Sequence, residues 1–555
     1  MENKQDNILL MLENRTEVLD KKIALGISSS LGWKELSFQG LGTLSKRLAS
    51  YLISIGIDRG DRVSILSESI PEWGAGLFAS VLSGATTIPI DIKLTEWEMA
   101  TILKDGQPKV LLVSSAFLEL GLKLKQDVES IEHVVILNES SNRDYPSIYS
   151  IPEDAKHYKW RHRGLNTTAF IIYTSGTTGM PKGVEISFKN VVAQVKALGE
   201  CFDLGIQDKF LSILPMNHLF ELTVGFLTFL CKGTSIYYSK SLKPKDLFHV
   251  MQEKQITFMI VVPAFLKLMR TSLEAELKQK SKLAQKYFKF KYFLAQFIPC
   301  HRLRKLMFKD INKKFGGKFK GFLSGGAPLD ISVANFFDRL GLTIFEGYGL
   351  SEASPVVSVN RKGAYKLGSI GKPIPGVIVK LDPETSELMV KGDNVMKGYY
   401  KRPDLTVEAI DKNGWLHTGD IAQIDKKGYI YITGRIKNMI VLDGGKKVFP
   451  EDLEAVYEKN PKFADVCVFG GKYNDGQKSG TEDIFVAVYP TDDFKAAFPD
   501  KKDLKREVRK EIKEMSQQVS HYKRPKNIIV VDKPFPRTAT SKIKRKEVKK
   551  ELLNQ

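Results

Sequence analysis

The hydrophobic pattern changes period repeatedly along the first hundred residues. From Phe38 to Ile55 apolar positions recur at steps of three and four and stop at Gly56, which predicts an amphipathic helix. Arg62 to Leu66 then reads as a strand, Pro71 to Ser83 as a helix and Thr86 to Pro89 as a strand. Thr95 to Leu103 returns to helical spacing, and Lys109 to Val113 is a strand again. Alternation at this spacing predicts an α/β fold with largely parallel sheets. A second stretch of the same kind runs from Ala193 to about Leu268. Between the two, Ala169 to Ile172 reads as a short buried strand and Ser187 to Leu198 as a helix.

The segment joining that strand and helix, Tyr173 to Val184, is dense in glycine and hydroxyl residues. Gly176, Gly179 and Gly183 lack side chains, so backbone N–H groups can approach phosphate oxygens. Thr174, Ser175, Thr177 and Thr178 add hydroxyl donors, and Lys182 adds a positive charge. A flexible linker would need neither the preceding strand nor the Pro-Lys-Gly ending. The loop also differs from G-x-x-x-x-G-K-[ST], because Pro181 precedes Lys182 and Gly183 follows it.

At 555 residues the chain is too long for one core and should divide into domains. The longest apolar runs, such as Thr223 to Cys231, are far short of a membrane span, and the polar N-terminus shows no signal peptide. Four cysteines without metal-ligand spacing read as reduced and cytosolic. The net charge of +20 is concentrated in two places. Lys267 to Lys320 holds 16 basic and 3 acidic residues, and Lys501 to Gln555 holds 18 and 7, which leaves the rest slightly acidic. The first patch interleaves lysines with aromatic residues from Tyr287 to Leu294. It suits a solvated helical pair, an amphipathic surface on anionic lipid or, less well, single-stranded nucleic acid, for which no module signature is present. The second could attract an anionic cosubstrate.

The order Thr174-Ser175-Gly176-Thr177-Thr178-Gly179-Met180-Pro181-Lys182-Gly183 resembles the signature of the adenylate-forming superfamily. That superfamily comprises acyl- and aryl-CoA synthetases, peptide-synthetase adenylation domains and luciferases. The resemblance extends in order over roughly residues 33 to 546. Gly325-Gly326-Ala327 is similar to the family's turn against the adenine. Gly347-Tyr348-Gly349-Leu350-Ser351-Glu352 resembles its Tyr-Gly-x-Thr-Glu, with Ser351 keeping the hydroxyl. The match implies that Tyr348 stacks on the purine, Ser351 holds the α-phosphate, and Glu352 and Thr174 hold Mg²⁺. Asp420 in Thr-Gly-Asp and Arg435 in Gly-Arg-Ile-Lys would hold the ribose, and Lys437 would be a hinge. Gly444 and Gly445 resemble the loop that contacts the pantetheine arm of CoA. Pro536 to Arg545 resembles the segment carrying the essential lysine, here Lys542, with Ser541 in place of the usual glycine.

The resemblance implies a large N-terminal domain, residues 1–436, and a small mobile α+β domain, residues 437–555. It implies an acid–thiol ligase using ATP, Mg²⁺ and CoA, with Lys182, Glu352 and Lys542 as the catalytic set. His218, in a Pro-x-x-His segment, would border the acyl pocket, and the following Phe220-Glu221 is most like the long-chain fatty acid branch. Glu221 is the nearest candidate to the aspartate with which amino acid-activating relatives hold an ammonium. An acyl carrier protein is the alternative acceptor, and an inactive lipid- or nucleic-acid-binding protein is the reading outside enzymes. The expected location is cytoplasmic or peripheral at the inner face of a membrane.

Overall fold

The computed structural model describes residues 15–29, 32–152, 161, 163–174, 181–442, 446–472, 482–537 and 543–553. The chain divides into two compact units. One comprises Met1–Val379 with Val390–Leu416, the other Lys380–Met389 with His417–Gln555.

The first unit is built on two large sheets. In the seven-stranded sheet, Arg62–Leu66 pairs in parallel with Thr86–Pro89 on one side and Val110–Val113 on the other. His133–Ile136 extends one edge, and Thr168–Thr174 pairs beyond Thr86–Pro89. The helices cover the apolar faces of these strands. Phe38–Ser54 starts at Ser37, whose hydroxyl accepts from the Gly40 N–H, and its successor Pro71–Leu82 is buried throughout. Glu96–Gly106 begins one residue later than the periodicity predicts. Thr95 is its cap: its side chain accepts from the Glu98 N–H while Glu98 reaches back to the cap backbone. The nine-stranded sheet has a parallel centre, in which Lys209–Ser212, Phe258–Val261, Gly321–Ser324 and Thr343–Gly349 lie side by side. The α/β expectation therefore holds.

One element departs from the sequence reading. The glycine-rich loop does not lead straight into a helix. Lys182–Ser187 is a strand that pairs antiparallel with Thr168–Thr174, and the helix Phe188–Cys201 follows it. The β-branched Val184 and Ile186, alternating with Glu185, suit a strand buried in the sheet. Ser187 caps the helix by accepting from the Asn190 N–H.

The second unit has its own core. Phe463–Gly471 pairs antiparallel with Asp483–Pro490, which pairs in parallel with Asn527–Val530. The helices Pro450–Tyr457, Lys501–Met515 and Arg545–Leu553 contribute Leu453, Val508, Ile512 and Val548 to its buried clusters. A hairpin, Leu416–Ile424 with Ile430–Arg435, precedes this core in sequence.

Candidate active site

Strand pairing sets the frame of the phosphate loop. Thr174 and Lys182 are cross-strand partners where the hairpin opens, and Ser175, Gly176, Thr177, Thr178 and Gly179 lie outside the described residues. Gly183 has a packing reason to lack a side chain: a Cβ there would sit 2.8 Å from Ile171 Cγ2 and 3.2 Å from the Tyr173 ring. Tyr173 in turn donates to Asp105 at 2.5 Å, fixing the end of the strand.

The Lys182 ammonium lies 5.4 Å from the centroid of the Tyr399 ring. Tyr399 sits on a two-residue strand, Gly398–Tyr399, paired to Val184 and Glu185. Its hydroxyl donates to Glu352 Oε1 at 2.8 Å. Burial, and then the neighbouring Glu352 charge, hold the Tyr399 hydroxyl well above the ordinary phenol range, so it stays a donor at neutral pH. Lys182, Tyr399 and Glu352, from three separate stretches of chain, are thereby joined. Glu352 sits in the short turn Ser351–Ala353, and the Met396 N–H donates to its backbone oxygen at 2.8 Å. Its second carboxylate oxygen accepts no hydrogen bond among the described residues. Nor does any cluster of three or more His, Cys, Asp or Glu occur among them. One half-buried carboxylate with a spare oxygen fits Mg²⁺, which is usually shared between one or two carboxylates and nucleotide phosphates.

The purine candidates follow the parallel strands. Gly325, Gly326 and Ala327 leave the end of Gly321–Ser324, with Gly326 at φ +84°. A Cβ on Gly325 would sit 3.0 Å from the Phe220 ring. Gly347, Tyr348 and Gly349 end the strand Thr343–Gly349, with Tyr348 paired to Ser358. A Cβ on Gly349 would lie 1.9 Å from the Pro355 carbonyl oxygen, so only glycine fits there. Tyr348 is half-buried against the main core.

His218 precedes the buried wide-turn helix Phe220–Thr228. Its Nε2 is 3.8 Å from Asp91 and has no hydrogen-bond partner among the described residues, and burial pulls its pKa down, favouring the neutral ring. Glu221 is fully buried and accepts from the Ser212 hydroxyl at 2.7 Å. Burial pushes its pKa up to about 8. Burial disfavours the charged form of this carboxyl, which is turned toward Ser212, so Glu221 is a poor partner for a substrate ammonium.

The second unit carries the remaining candidates. Asp420 is 2% exposed, and its Oδ1 lies 2.7 Å from Arg435 Nε. The two are cross-strand partners in the hairpin. Glu387 braces the turn before them, accepting from the Gly419 N–H at 2.7 Å and contacting His417 Nδ1 at 2.9 Å. Lys437 lies in the turn Ile436–Asn438, and Asn438 donates to Glu451 at 2.7 Å. Gly444, Gly445 and Lys542 lie outside the described residues. The chain on either side of 538–542 is nevertheless anchored. Arg537 bridges to Ile543, and Arg537 pairs with Asp465. Arg545 reaches into the core, donating to the Val468 carbonyl at 2.8 Å, to Glu454 at 2.6 Å and to Glu451 at 3.1 Å. Burial opposes its charge, but Glu454 and Glu451 outweigh that and raise its pKa.

Sequence reasoning missed Tyr399, Glu387 and the anchoring role of Arg545. Arg545 served there only as the end of a motif segment, and the partners of Tyr399 and Arg545 lie 47 and 91 residues away.

The family described as AMP-binding enzyme matches residues 7–400, and the one described as AMP-binding enzyme C-terminal domain matches residues 452–542. Among curated relatives, the long-chain-fatty-acid–CoA ligase FadD15 of Mycobacterium bovis is 29% identical over 458 residues, covering 79% of this chain and 76% of its own. Among solved structures, ATP-bound MatB from Rhodopseudomonas palustris superposes with a TM-score of 0.79 at 24% identity, over 99% of both chains. The o-succinylbenzoate CoA synthetase MenE of Bacillus subtilis, solved with ATP and magnesium, gives 0.74 at 22% identity, over 97% of this chain and 99% of its own. With the first match spanning well over half its length, this chain belongs to the AMP-binding enzyme family, the adenylate-forming acyl- and aryl-CoA ligases.

Proposed function

We propose that the protein activates a long-chain fatty acid through acyl-AMP to acyl-CoA. The observation that carries this reading is the Lys182–Tyr399–Glu352 constellation beside the opening of the phosphate hairpin. It offers a cation, a fixed hydroxyl donor and a carboxylate where nucleotide phosphates would lie. Relatives named as long-chain fatty acid ligases support the substrate class. So does the buried, mostly apolar helix Phe220–Thr228, whose one carboxyl, Glu221, is occupied by Ser212.

In the first step a carboxylate oxygen of the acid attacks the α-phosphorus of ATP. The bond from that phosphorus to the bridging oxygen breaks, and pyrophosphate leaves with its electron pair. Two anions must be brought together, so the chain's contribution is charge neutralisation and alignment. Lys182, Ser351 and the donors of residues 174–179 would hold the phosphates, and Asp420 and Arg435 the ribose. Glu352 and Thr174 would hold Mg²⁺, which when bound neutralises phosphate charge. Lys542 would complete the set for this step alone. In the second step the CoA thiolate attacks the acyl carbon and AMP leaves. We place the turning point at Lys437, so that 437–555 moves relative to 1–436, withdrawing Lys542 and presenting Gly444 and Gly445 to pantetheine. The location that fits is cytoplasmic or peripheral to a membrane. Among the described residues no helix is long and apolar enough to cross one.

The test is pyrophosphate release from ATP with acids of graded length, with and without CoA. Turnover that requires both a long acid and CoA is expected. Acid-dependent release that only a carrier protein can turn over would move the acceptor, and no release with any acid would favour the binding-protein reading. Lys542→Ala should abolish adenylation and spare thioester formation from supplied acyl-AMP. Equal loss of both half-reactions would overturn its assignment.

A further inference from the structure

The helix Lys282–Ala295 has two apolar faces, and only one of them is used. Inward, Phe288 packs on Phe308 with ring centroids 5.5 Å apart, Tyr292 lies 6.0 Å from Phe336, and Ala295 is fully buried. Outward, Leu283, Tyr287, Phe290 and Leu294 are 38–79% exposed, and Phe297 just past the helix is 68% exposed. Their spacing alternates four and three residues, so they form one continuous stripe along the helix. On the next helix, His301–Met307, Leu303 and Leu306 are also 53% and 70% exposed. Scattered exposed apolar residues are ordinary, but a contiguous stripe of large ones is the mark of an interaction surface.

Charge identifies the partner. Residues 277–309 hold ten Lys and Arg and not one Asp or Glu. Among the described residues only one of these ten cations, Arg304, pairs with a carboxylate, that of Asp338. Lys286 and Lys289 flank the stripe, and Lys291 lies 5.0 Å from the Tyr287 ring centroid. A second copy of the chain would bring the same unneutralised cations face to face. A bare apolar partner would leave them without counter-ions. An anionic bilayer satisfies both components at once, taking apolar side chains at the boundary between headgroups and acyl chains and lysines on the phosphates. A helix of this length presents a contact about 20 Å long lying flat.

We propose that the outer face of residues 282–297, extended by Leu303 and Leu306, seats the protein on an anionic lipid surface. The proposal is independent of the substrate reading, because vesicle binding is measured without ATP, acid or CoA.

The experiment is co-sedimentation of the full chain with vesicles of phosphatidylcholine alone or phosphatidylcholine with phosphatidylglycerol, at low and high salt. Binding is expected to the anionic vesicles and to weaken with salt. The double variant Lys286→Gln/Lys289→Gln should lower the partition roughly 25-fold, about fivefold for each lysine. Phe290→Ser/Phe297→Ser should lower it at least about tenfold, since burying such rings supplies the apolar part. A Phe290→Trp reporter should shift its emission to the blue on anionic vesicles, which reads burial at that position without disabling the surface. Parent and variants binding alike, binding indifferent to phosphatidylglycerol, or a reporter that stays in water would each overturn the proposal. So would a stable dimer or an acidic protein partner that protects the Phe290→Trp reporter in the absence of lipid.

Discussion

The two basic regions of the chain carry nearly the same charge and present it in opposite ways. In the second unit, the helix Lys501–Met515 puts Leu504, Val508 and Ile512 on one face, four residues apart and all buried. Its other face is charged and mixed in sign. Lys462 meets Glu511 at 2.5 Å, Arg506 meets Asp503 at 3.0 Å and Lys501 meets Asp532 at 2.7 Å. That is the arrangement of an ordinary surface helix. In the first unit, residues 277–309 have no acidic residues and an apolar stripe left outside. A sum of charges treats these regions as equals; the burial of their apolar residues separates them. Neither region supplies Lys182 or Arg435, and of the candidate catalytic set only Lys542 falls in the second, so density of charge does not mark the candidate chemistry.

The sharpest way to break that contrast is to put a charge on the used apolar face of the second region. Val508→Asp places an uncompensated carboxylate in the core of the second unit and should cost about 3–5 kcal/mol, read as a lowered denaturation midpoint. A loss below about 1 kcal/mol would mean that this helix is not held by its apolar face.

Arg545→Met tests a half-buried cation of the second region that two carboxylates hold. It leaves Glu454 and Glu451 without their cation and should cost about 3 kcal/mol, partly recovered in acid as the carboxyls protonate. A cost that does not shrink as pH falls would mean the methionine fails through packing instead.

Glu221 extends the same logic to a carboxyl neutralised by burial. Its folded pKa is raised from 4.5 to about 8, so between those values the folded chain holds a proton that the unfolded chain has lost. Stability from this group is therefore full below pH 4.5 and declines as pH rises towards 8. Glu221→Gln keeps an acceptor for Ser212 and cannot ionise. It should gain stability relative to the parent as pH rises from 5 to 8 and so flatten the slope over that range. Parallel pH–stability curves for the two chains would place the proton elsewhere.

Tyr399→Phe probes a hydroxyl that faces a charge inside the first unit. Loss of its hydrogen bond to Glu352, a bond to a charged group that contributes about 1.5–3 kcal/mol, should lower kcat/KM of adenylation roughly 10- to 100-fold. Unchanged kinetics would detach Tyr399 from the chemistry.

Much of this was legible in one dimension. Strands and helices from 38 to 113 are local patterns, and periodicity places each within three residues of its bounds in the fold. The hairpin after the phosphate loop was not, because Lys182–Ser187 is short and Pro-Lys-Gly masks where its alternation begins. Tyr399 and the anchoring role of Arg545 were not legible, since what defines each is a partner far away in sequence. The basic patch was visible as composition. Which of its aromatic residues look outward follows only from packing: Phe288 and Phe290 are two positions apart and have opposite fates.

That pair gives the smallest expected effect and the finest test of the comparison. Phe288 is half-buried against Phe308 and Tyr292, so Phe288→Ala removes contacts on two sides and should cost about 2–3 kcal/mol, somewhat less than a fully buried phenylalanine. Phe290 is 60% exposed, so Phe290→Ser should change the denaturation midpoint by no more than about 0.5 kcal/mol. If the outward stripe were a disguised part of the core, the two losses would converge. If it is surface held in reserve for lipid, Phe290→Ser is silent in solution and its cost emerges only when anionic vesicles are present. Measuring both variants with and without vesicles separates these cases in a single series, because the lipid term acts on Phe290 and not on Phe288.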